Sequence, residues 1–238
     1  MTRGGEWQER VRAFQDALLP RAIDSSGIAD VEPAFFSPGG QLSGDLYDCV
    51  HLPHADVFVV GDATGHGTGA ALVVAVVFGA IRASLQFTQE PCEIFWHVHR
   101  LLEELGERAG GPRVFSASLF IGVLHEDGTL AHSNAGHPSP LVLRRGSHAS
   151  APLHPTSPPL GLVEPASCRL DRMQLLPGDR IVLYTDGCIP MGADPEDVRR
   201  EVDKSMAMSP DELARHLVSD GTEDDRTAIV VTFRGKRS

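Results

Sequence analysis

Aspartates that follow short apolar runs are the residues of this 238-residue chain best placed to do chemistry. Asp45 lies in Leu42-Ser43-Gly44-Asp45-Leu46-Tyr47-Asp48 and Asp62 in Val59-Val60-Gly61-Asp62. Asp186 lies in Leu183-Tyr184-Thr185-Asp186-Gly187, and Asp224 with Asp225 stands directly before Arg226-Thr227. Asp62 and Asp186 each end a hydrophobic strand, so the preceding residues are buried and the carboxylate emerges at an edge. One Asp-Gly after a strand is an ordinary turn. Four acidic positions of this kind in one chain point to a shared site. Oxygen ligands grouped in this way suit hard divalent cations such as Mg2+ or Mn2+. Without cations the carboxylates would repel and raise one another's pKa.

The segment Gly61-Asp62-Ala63-Thr64-Gly65-His66-Gly67-Thr68-Gly69-Ala70 joins a strand to a helix, and its glycines let the backbone turn sharply beside an ion or phosphate. It is not a P-loop, because the closing Gly-Lys-Ser/Thr is absent. Gly65, Gly67 and Ala70 fit the loose dinucleotide pattern, but Asp62 interrupts the strand-to-glycine junction and no second strand ends in an acid at the right distance. His66 has two readings: it positions a water or protonates a leaving oxygen, or it only hydrogen-bonds the turn. His137, in Ala-Gly-His-Pro, reads as a structural anchor beside the site. His97 and His99 point to opposite sides of a helix, so no histidine is assigned to metal.

These residues must be held by a strand-rich frame. Trp7, Val11, Phe14 and Leu18 recur at helical spacing, which predicts an amphipathic helix over 6–19 that Pro20 stops. Its apolar stripe packs on the domain's own core, or pairs with a second copy or an upstream module. Strands are expected at 31–37, 46–51 and 57–61, punctuated by Pro38-Gly39-Gly40 and Pro53, and helices at 67–86 and 90–108. The second helix carries a core stripe of Ile94, Val98, Leu101, Leu102 and Leu105. Strands at 114–124 and 129–134 flank Glu126-Asp127-Gly128, a hairpin signal. A strand at 141–144 precedes an irregular loop over 146–160. Strands at 168–176, 180–185 and 227–233 and helices at 195–206 and 210–219 complete the chain, the last opened by the capping sequence Ser209-Pro210-Asp211-Glu212. Runs of strands around a helix pair indicate α+β with largely antiparallel sheets.

Composition narrows the partners. A net charge of −11 repels nucleic acid and anionic lipid, and the basic tail Gly235-Lys236-Arg237-Ser238 is too small to reverse that. The longest apolar run, 69–81, is too short to span a bilayer and reads as a core helix. Cys49, Cys92, Cys168 and Cys188 are far apart without a CxxC spacing, and the start of the chain is polar and helical rather than a signal peptide. They are therefore expected to be reduced and mostly buried, in a cytoplasmic protein.

The chain resembles the PPM-type protein phosphatases, in particular the bacterial SpoIIE/RsbU-like branch. The segments that carry the resemblance are Ser43-Gly44-Asp45-Leu46-Tyr47-Asp48, Gly61 to Gly67, Asn134-Ala135-Gly136-His137-Pro138, Pro177-Gly178-Asp179-Arg180, Leu183 to Gly187 and Asp224-Asp225-Arg226-Thr227. They stand in the family's order across about residues 14–234. The resemblance implies an αββα sandwich of two mainly antiparallel sheets flanked by helices, with a two-metal site in a cleft at one end. By motif, Asp62 bridges two Mn2+ or Mg2+ ions, with room for a third ion, and the Ala63 carbonyl adds an oxygen. Asp45 helps to hold one metal. Asp186 and Asp224 hold the other, with Asp225 the alternative to Asp224. The implied reaction is hydrolysis of phosphoserine or phosphothreonine by activated water, with no covalent phosphoenzyme. The implied substrate is a phosphorylated STAS-type anti-anti-sigma factor, which places the chain in sigma-factor regulation.

Residues 1–22 would then be a dimer or regulatory helix, forming a homodimer interface in the first case, and 23–238 the catalytic domain. Three positions depart from the family pattern: Ser43 stands where a glycine is usual, Ala63 where a valine is common, and Cys188-Ile189-Pro190-Met191-Gly192 where a glutamate is frequent. None removes a ligand. Two rival readings remain: a non-catalytic binding module of the same fold, and a hydrolase of small phosphoesters.

Overall fold

The computed structural model describes residues 3–20, 22–24, 27–37, 42–65, 67–111, 114–163, 168–189, 193–219 and 224–235, with side chains in the first helix described from Glu9 onward. The expected turn Pro38-Gly39-Gly40, His66, and Pro190-Met191-Gly192 lie outside these residues. The elements run α1 (Arg3–Leu18), β1 (Ala29–Phe36), β2 (Asp45–His51), β3 (Ala55–Ala63), α2 (Gly67–Ser84), α3 (Pro91–Arg108), β4 (Ala117–His125) and β5 (Thr129–Ala135). They continue with β6 (Leu141–Leu143), β7 (Ser150–Pro152), β8 (Asp171–Gln174), β9 (Arg180–Tyr184), a 3-10 turn at Asp186–Cys188, α4 (Pro195–Lys204), α5 (Pro210–Ser219) and β10 (Arg226–Phe233).

The strands form two five-stranded sheets, one ordered β1-β10-β9-β6-β7 and the other β2-β3-β4-β5-β8. Every pairing is antiparallel. Helices α2 and α3 pack against the second sheet and α5 against the first. This is the helix–sheet–sheet–helix layering of an α+β sandwich. β3 is buried along almost its whole length because sheet neighbours, the facing sheet and α2 cover it, which is why it reads as a continuous apolar run rather than an alternating one. On α3, Ile94, Val98 and Leu102 are buried at helical spacing, as expected, and Leu101 and Leu105 sit at the margin of that stripe. The β4–β5 hairpin turns on Gly128 at φ 87°, while Asp127 accepts from the Thr129 N–H. The cap of α5 is a closed box in which Ser209 N–H and Oγ both donate to Glu212 Oε2 and the Glu212 N–H donates to Ser209 Oγ.

Several boundaries move. β3 continues through Asp62 to Ala63, so Asp62 is a strand residue rather than the first one beyond it. The 146–160 loop contains the short strand β7. α1 begins before residue 6, and its expected apolar stripe is rotated: Phe14 is 57% exposed, whereas Gln15 and Leu19 are buried. The inward polar residue has a hydrogen-bonding task, described below, that periodicity does not reveal.

Two expectations are corrected. The apolar run at 69–81 belongs to an 18-residue helix, α2, that is long and apolar enough by length and composition to cross a membrane. Its buried face, Val73, Val74, Val77 and Ile81, belongs to the core shared with α3 and the sheet. The cysteines are not all reduced: Cys92 and Cys168 form a disulfide, with Cα atoms 5.5 Å apart. Cys49 and Cys188 are free. A sequence separation of 76 conceals this pair, because only the packing of α3 against β5 brings the start of the helix beside the segment that precedes β8.

Closing a loop of that length removes conformational freedom from the unfolded chain, a stabilisation of about 2–4 kcal/mol. Cys92→Ser is therefore expected to lower the thermal midpoint by roughly 5–15 °C without reductant, as measured by differential scanning fluorimetry. Equal midpoints for the variant and the oxidised wild type would contradict the bond's contribution.

Candidate active site

Strand register brings the acidic residues together. Asp45 opens β2 directly opposite Asp62 near the end of β3, and Asp62 in turn faces Ser118 on β4. Asp186 follows β9, and Asp224 and Asp225 precede β10, whose Ala228 pairs with Tyr184. The two sheets are joined at this end. Asp45 Oδ2 accepts hydrogen bonds from Thr227 Oγ1 at 2.6 Å and Thr185 Oγ1 at 2.9 Å. The two threonines also bond each other's strands, Thr227 N–H to Thr185 Oγ1 at 3.0 Å and Thr185 N–H to the Thr227 carbonyl at 3.0 Å.

Contacts closer than a side chain allows explain the glycines. A Cβ at Gly44 would fall 2.8 Å from Asp62 Oδ1 and 3.0 Å from the Ala63 carbonyl oxygen, so both oxygens crowd the turn before Asp45. A Cβ at Gly187 would fall 1.8 Å from the Asp225 carbonyl. The neighbouring acids Asp224 and Asp225 take different ends of the cluster. Asp225 Oδ2 accepts from the Gly44 N–H at 3.2 Å and raises the pKa of Asp45 and Asp62, whereas Asp224 acts on Asp62 and Asp186.

The electrostatics are those of an anionic cluster without compensation. Burial, followed by the charges of Asp186, Asp224 and Asp225, pushes Asp62 from 3.8 up to about 7. Asp45 is raised well above the usual carboxylate range, chiefly by burial and against the pull of its two threonines. Asp186 stands at the surface and is also raised, by lost hydration and then by Asp224. Among the described residues no group of three or more His, Cys, Asp or Glu side chains is gathered closely enough to hold an ion. The donor set nonetheless fits a hard cation: it is all oxygen, and the Asp62 carboxylate and Ala63 carbonyl already face one point beside Gly44.

Asp62, Asp186 and Ser118 line a cavity of about 520 Å3. His137 lines it and is wholly tied. Nδ1 lies 2.8 Å from Ser118 Oγ and Nε2 lies 3.1 Å from the Tyr184 carbonyl. A carbonyl only accepts, so Nε2 carries the proton and Ser118 donates to Nδ1. Burial depresses the pKa of this imidazole to about 3, and it stays neutral. His137 thus holds the end of β9 beside β4, the structural role its motif suggests. Asn134 fixes it by accepting from the His137 N–H and donating to the His137 and Leu153 carbonyls. His66 lies outside the described residues.

Three contributors escaped sequence reasoning. Thr185 and Thr227 adjoin Asp186 and Arg226 inside the recognised motifs, and their hydroxyls gave the available signal. Gln15 of α1 had none: its side chain donates to the Ser43 carbonyl at 2.6 Å and accepts from the Ser43 N–H at 2.9 Å. Ser43, the departure from the usual glycine, is accommodated, since its hydroxyl accepts from the Asp45 N–H at 2.9 Å.

Comparison with known proteins agrees with this geometry. Residues 54–234 match the family model described as Stage II sporulation protein E (SpoIIE). Phosphoserine phosphatase RsbP of Bacillus subtilis is 25% identical over 155 residues, covering 65% of this chain and 38% of that protein. Phosphoserine phosphatase RsbU of the same organism is 21% identical, over 85% of this chain and 61% of that protein. The chain thus spans less than two thirds of either relative. Among solved structures, the RsbU and RsbW domains of Rv1364c from Mycobacterium tuberculosis superpose with a TM-score of 0.75 at 27% identity, over 89% of this chain and 63% of that one. The SiaA-PP2C domain of Pseudomonas aeruginosa gives 0.74 at 17% identity, over 96% of both.

Between its ordinary 3.8 and about 7, Asp62 is protonated in the folded protein and ionised in the unfolded chain. Its effect is therefore to lower stability as pH rises through that window. Without divalent cations, Asp62→Asn is expected to melt about 2–8 °C above wild type at pH 8 and to lose that advantage near pH 4. Mn2+ should raise the wild-type midpoint at pH 8 and leave the variant's nearly unmoved. A variant less stable than wild type at pH 8 in EDTA would contradict the repulsion.

Proposed function

The chain belongs to the SpoIIE family, and from that premise we propose that it is a Mn2+- or Mg2+-dependent protein serine/threonine phosphatase. The observation that carries this reading is the meeting of Asp45, Asp62, Asp186, Asp224 and Asp225 from both sheets, with Asp62 raised to about 7 by burial and then by its neighbours' charges. The phosphoserine phosphatases RsbP and RsbU among its relatives support the same chemistry, and a fold relative, RsbX, has been solved in complex with magnesium.

In this reading Asp62, the Ala63 carbonyl, Asp186 and Asp224 hold the cations, Asp45 helps to hold one of them, and Asp225 is the alternative to Asp224. Bound divalent cations supply Lewis-acid activation of water and neutralise charge on a phosphoryl group. The protein's own part is positional. Asp45 has one oxygen, Oδ2, committed to Thr185 and Thr227, which fixes the direction of its carboxylate. His137, neutral and fully bonded, transfers no proton; it keeps β9, and with it Asp186, in place. His66, in the glycine turn, is the residue we assign to water or leaving-group contact, a role that rests on its place in the motif.

We take the substrate to be a phosphorylated STAS-type anti-anti-sigma factor; the solved M. tuberculosis relative, which carries RsbU and RsbW domains in one chain, is consistent with a partner-switching setting. A cytoplasmic location belongs to the same reading, and the Cys92–Cys168 disulfide is the feature that weighs against it. Residues 1–22 act as a dimer or regulatory helix on a catalytic domain of 23–238. Supporting this are the outward Phe14 and the Gln15 bonds to the turn before Asp45.

Hydrolysis of a generic aryl phosphate should require Mn2+ or Mg2+, vanish in EDTA, and fall by more than about a hundredfold in Asp62→Asn. Metal-independent turnover that survives this substitution would refute the reading. Deleting residues 1–20 should convert a dimer to a monomer by light scattering and lower activity. An unchanged monomer with unchanged activity would remove the proposed role of α1.

A further inference from the structure

The cavity beside the acidic cluster is much larger than a phosphoryl group needs. Its volume of about 520 Å3 lies well inside the range of about 300–1,000 Å3 typical of ligand clefts. Asp62 and Asp186 are part of its lining. Pro138, Pro152, Pro155 and Pro195 share that lining with Leu141, and with the polar Ser139 and His154. Proline has no N–H, so these four residues offer apolar surface and no backbone donor. A nucleotide or sugar phosphate brings hydroxyls and ring nitrogens that the proline surface leaves unpaired, at a cost in binding. A polypeptide brings apolar side chains that fit it.

The charge at the rim is specific. Arg199, on α4, is the only arginine or lysine among the described residues that line the cavity. It bonds Glu196 one turn earlier, with Nη1 at 3.0 Å and 3.3 Å from the two carboxylate oxygens. Both side chains reach solvent, at 33% and 57% exposure. Such a pair contributes little by itself and is readily exchanged for another carboxylate. On a chain of net charge −11, a solvent-reaching arginine in the lining of a cavity that also holds Asp62, Asp186 and Glu196 is complementary to an acidic group on whatever enters.

We propose that this cavity is a specificity subsite for the polypeptide around the phosphorylated residue: the proline walls take one large apolar side chain, and Arg199 takes a carboxylate of the same segment. The subsite rests on the phosphatase reading, because Asp62 and Asp186 in its lining mark where the phosphoryl group would sit.

The test uses the full chain and fluorescein-labelled phosphoserine peptides with Leu or Ala, combined with Glu or Lys, at successive positions on either side of the phosphoserine. Phosphate release with Mn2+ gives kcat/KM, and anisotropy in EDTA gives Kd without turnover. Wild type should prefer Leu over Ala by about tenfold and Glu over Lys by about three- to fivefold at one register. Arg199→Glu should invert the Glu/Lys order while keeping the Leu preference, and Arg199→Ala should abolish the Glu/Lys discrimination. Equal kcat/KM for all peptides and all three proteins would overturn the subsite and leave the phosphatase reading standing. Preference and inversion in anisotropy without phosphate release would uphold the subsite and overturn that reading. Faster turnover of a nucleotide or sugar phosphate than of every peptide would overturn the polypeptide assignment.

Discussion

The carboxylate of Asp45 is the point on which the two halves of this molecule agree. It belongs to the second sheet, and its donors, Thr185 and Thr227, belong to the ends of two strands of the first. Apolar burial between the sheets, contributed by residues such as Val57, Val59, Ile181, Leu183 and Ile229, is large but non-directional. It would tolerate a sliding of one sheet over the other. A buried carboxylate does not, because leaving it unpartnered costs more than its hydrogen bonds contribute. Asp45 therefore fixes where β9 and β10 end relative to β2 and β3, and so where Asp186 and Asp225 stand relative to Asp62.

The glycines of the site follow from the same alignment. At Gly44 and Gly187 the backbone of one segment passes so close to the oxygens of another that a methyl group would collide. Neither position is explained by a left-handed turn. Their role is proximity: they let segments bearing like charges come close to one another. The raised pKa values of Asp45, Asp62 and Asp186 are the cost of that arrangement in the folded protein.

Much of this was legible in the sequence, for physical reasons that differ by element. The stripe on α3, the Asp127-Gly128 turn and the Ser209 cap are local patterns, and each appears as read. The aspartates were legible because an acid at the end of an apolar run is costly without a task. What failed was non-local. The Cys92–Cys168 pair depends on how α3 lies against β5. The threonines around Asp45 depend on which strands of the opposite sheet arrive there. On α1, periodicity assigned Phe14 to the interior and overlooked Gln15, because no count of apolar spacing anticipates an amide that bonds a neighbouring turn through both its ends.

The disulfide has a topological consequence for the cavity. Residues 92–168 form a covalently closed ring that holds Ser118, His137, Pro138, Pro152 and Pro155, whereas Tyr184, Asp186, Pro195 and Arg199 lie outside it. The two walls of the cleft are thus chemically unequal. A peptide bond cut in the largely exposed stretch 145–149 would open the ring without releasing either piece. The nicked chain would keep its inner wall as a two-stranded remnant joined through sulfur, and only a reductant would let the halves part.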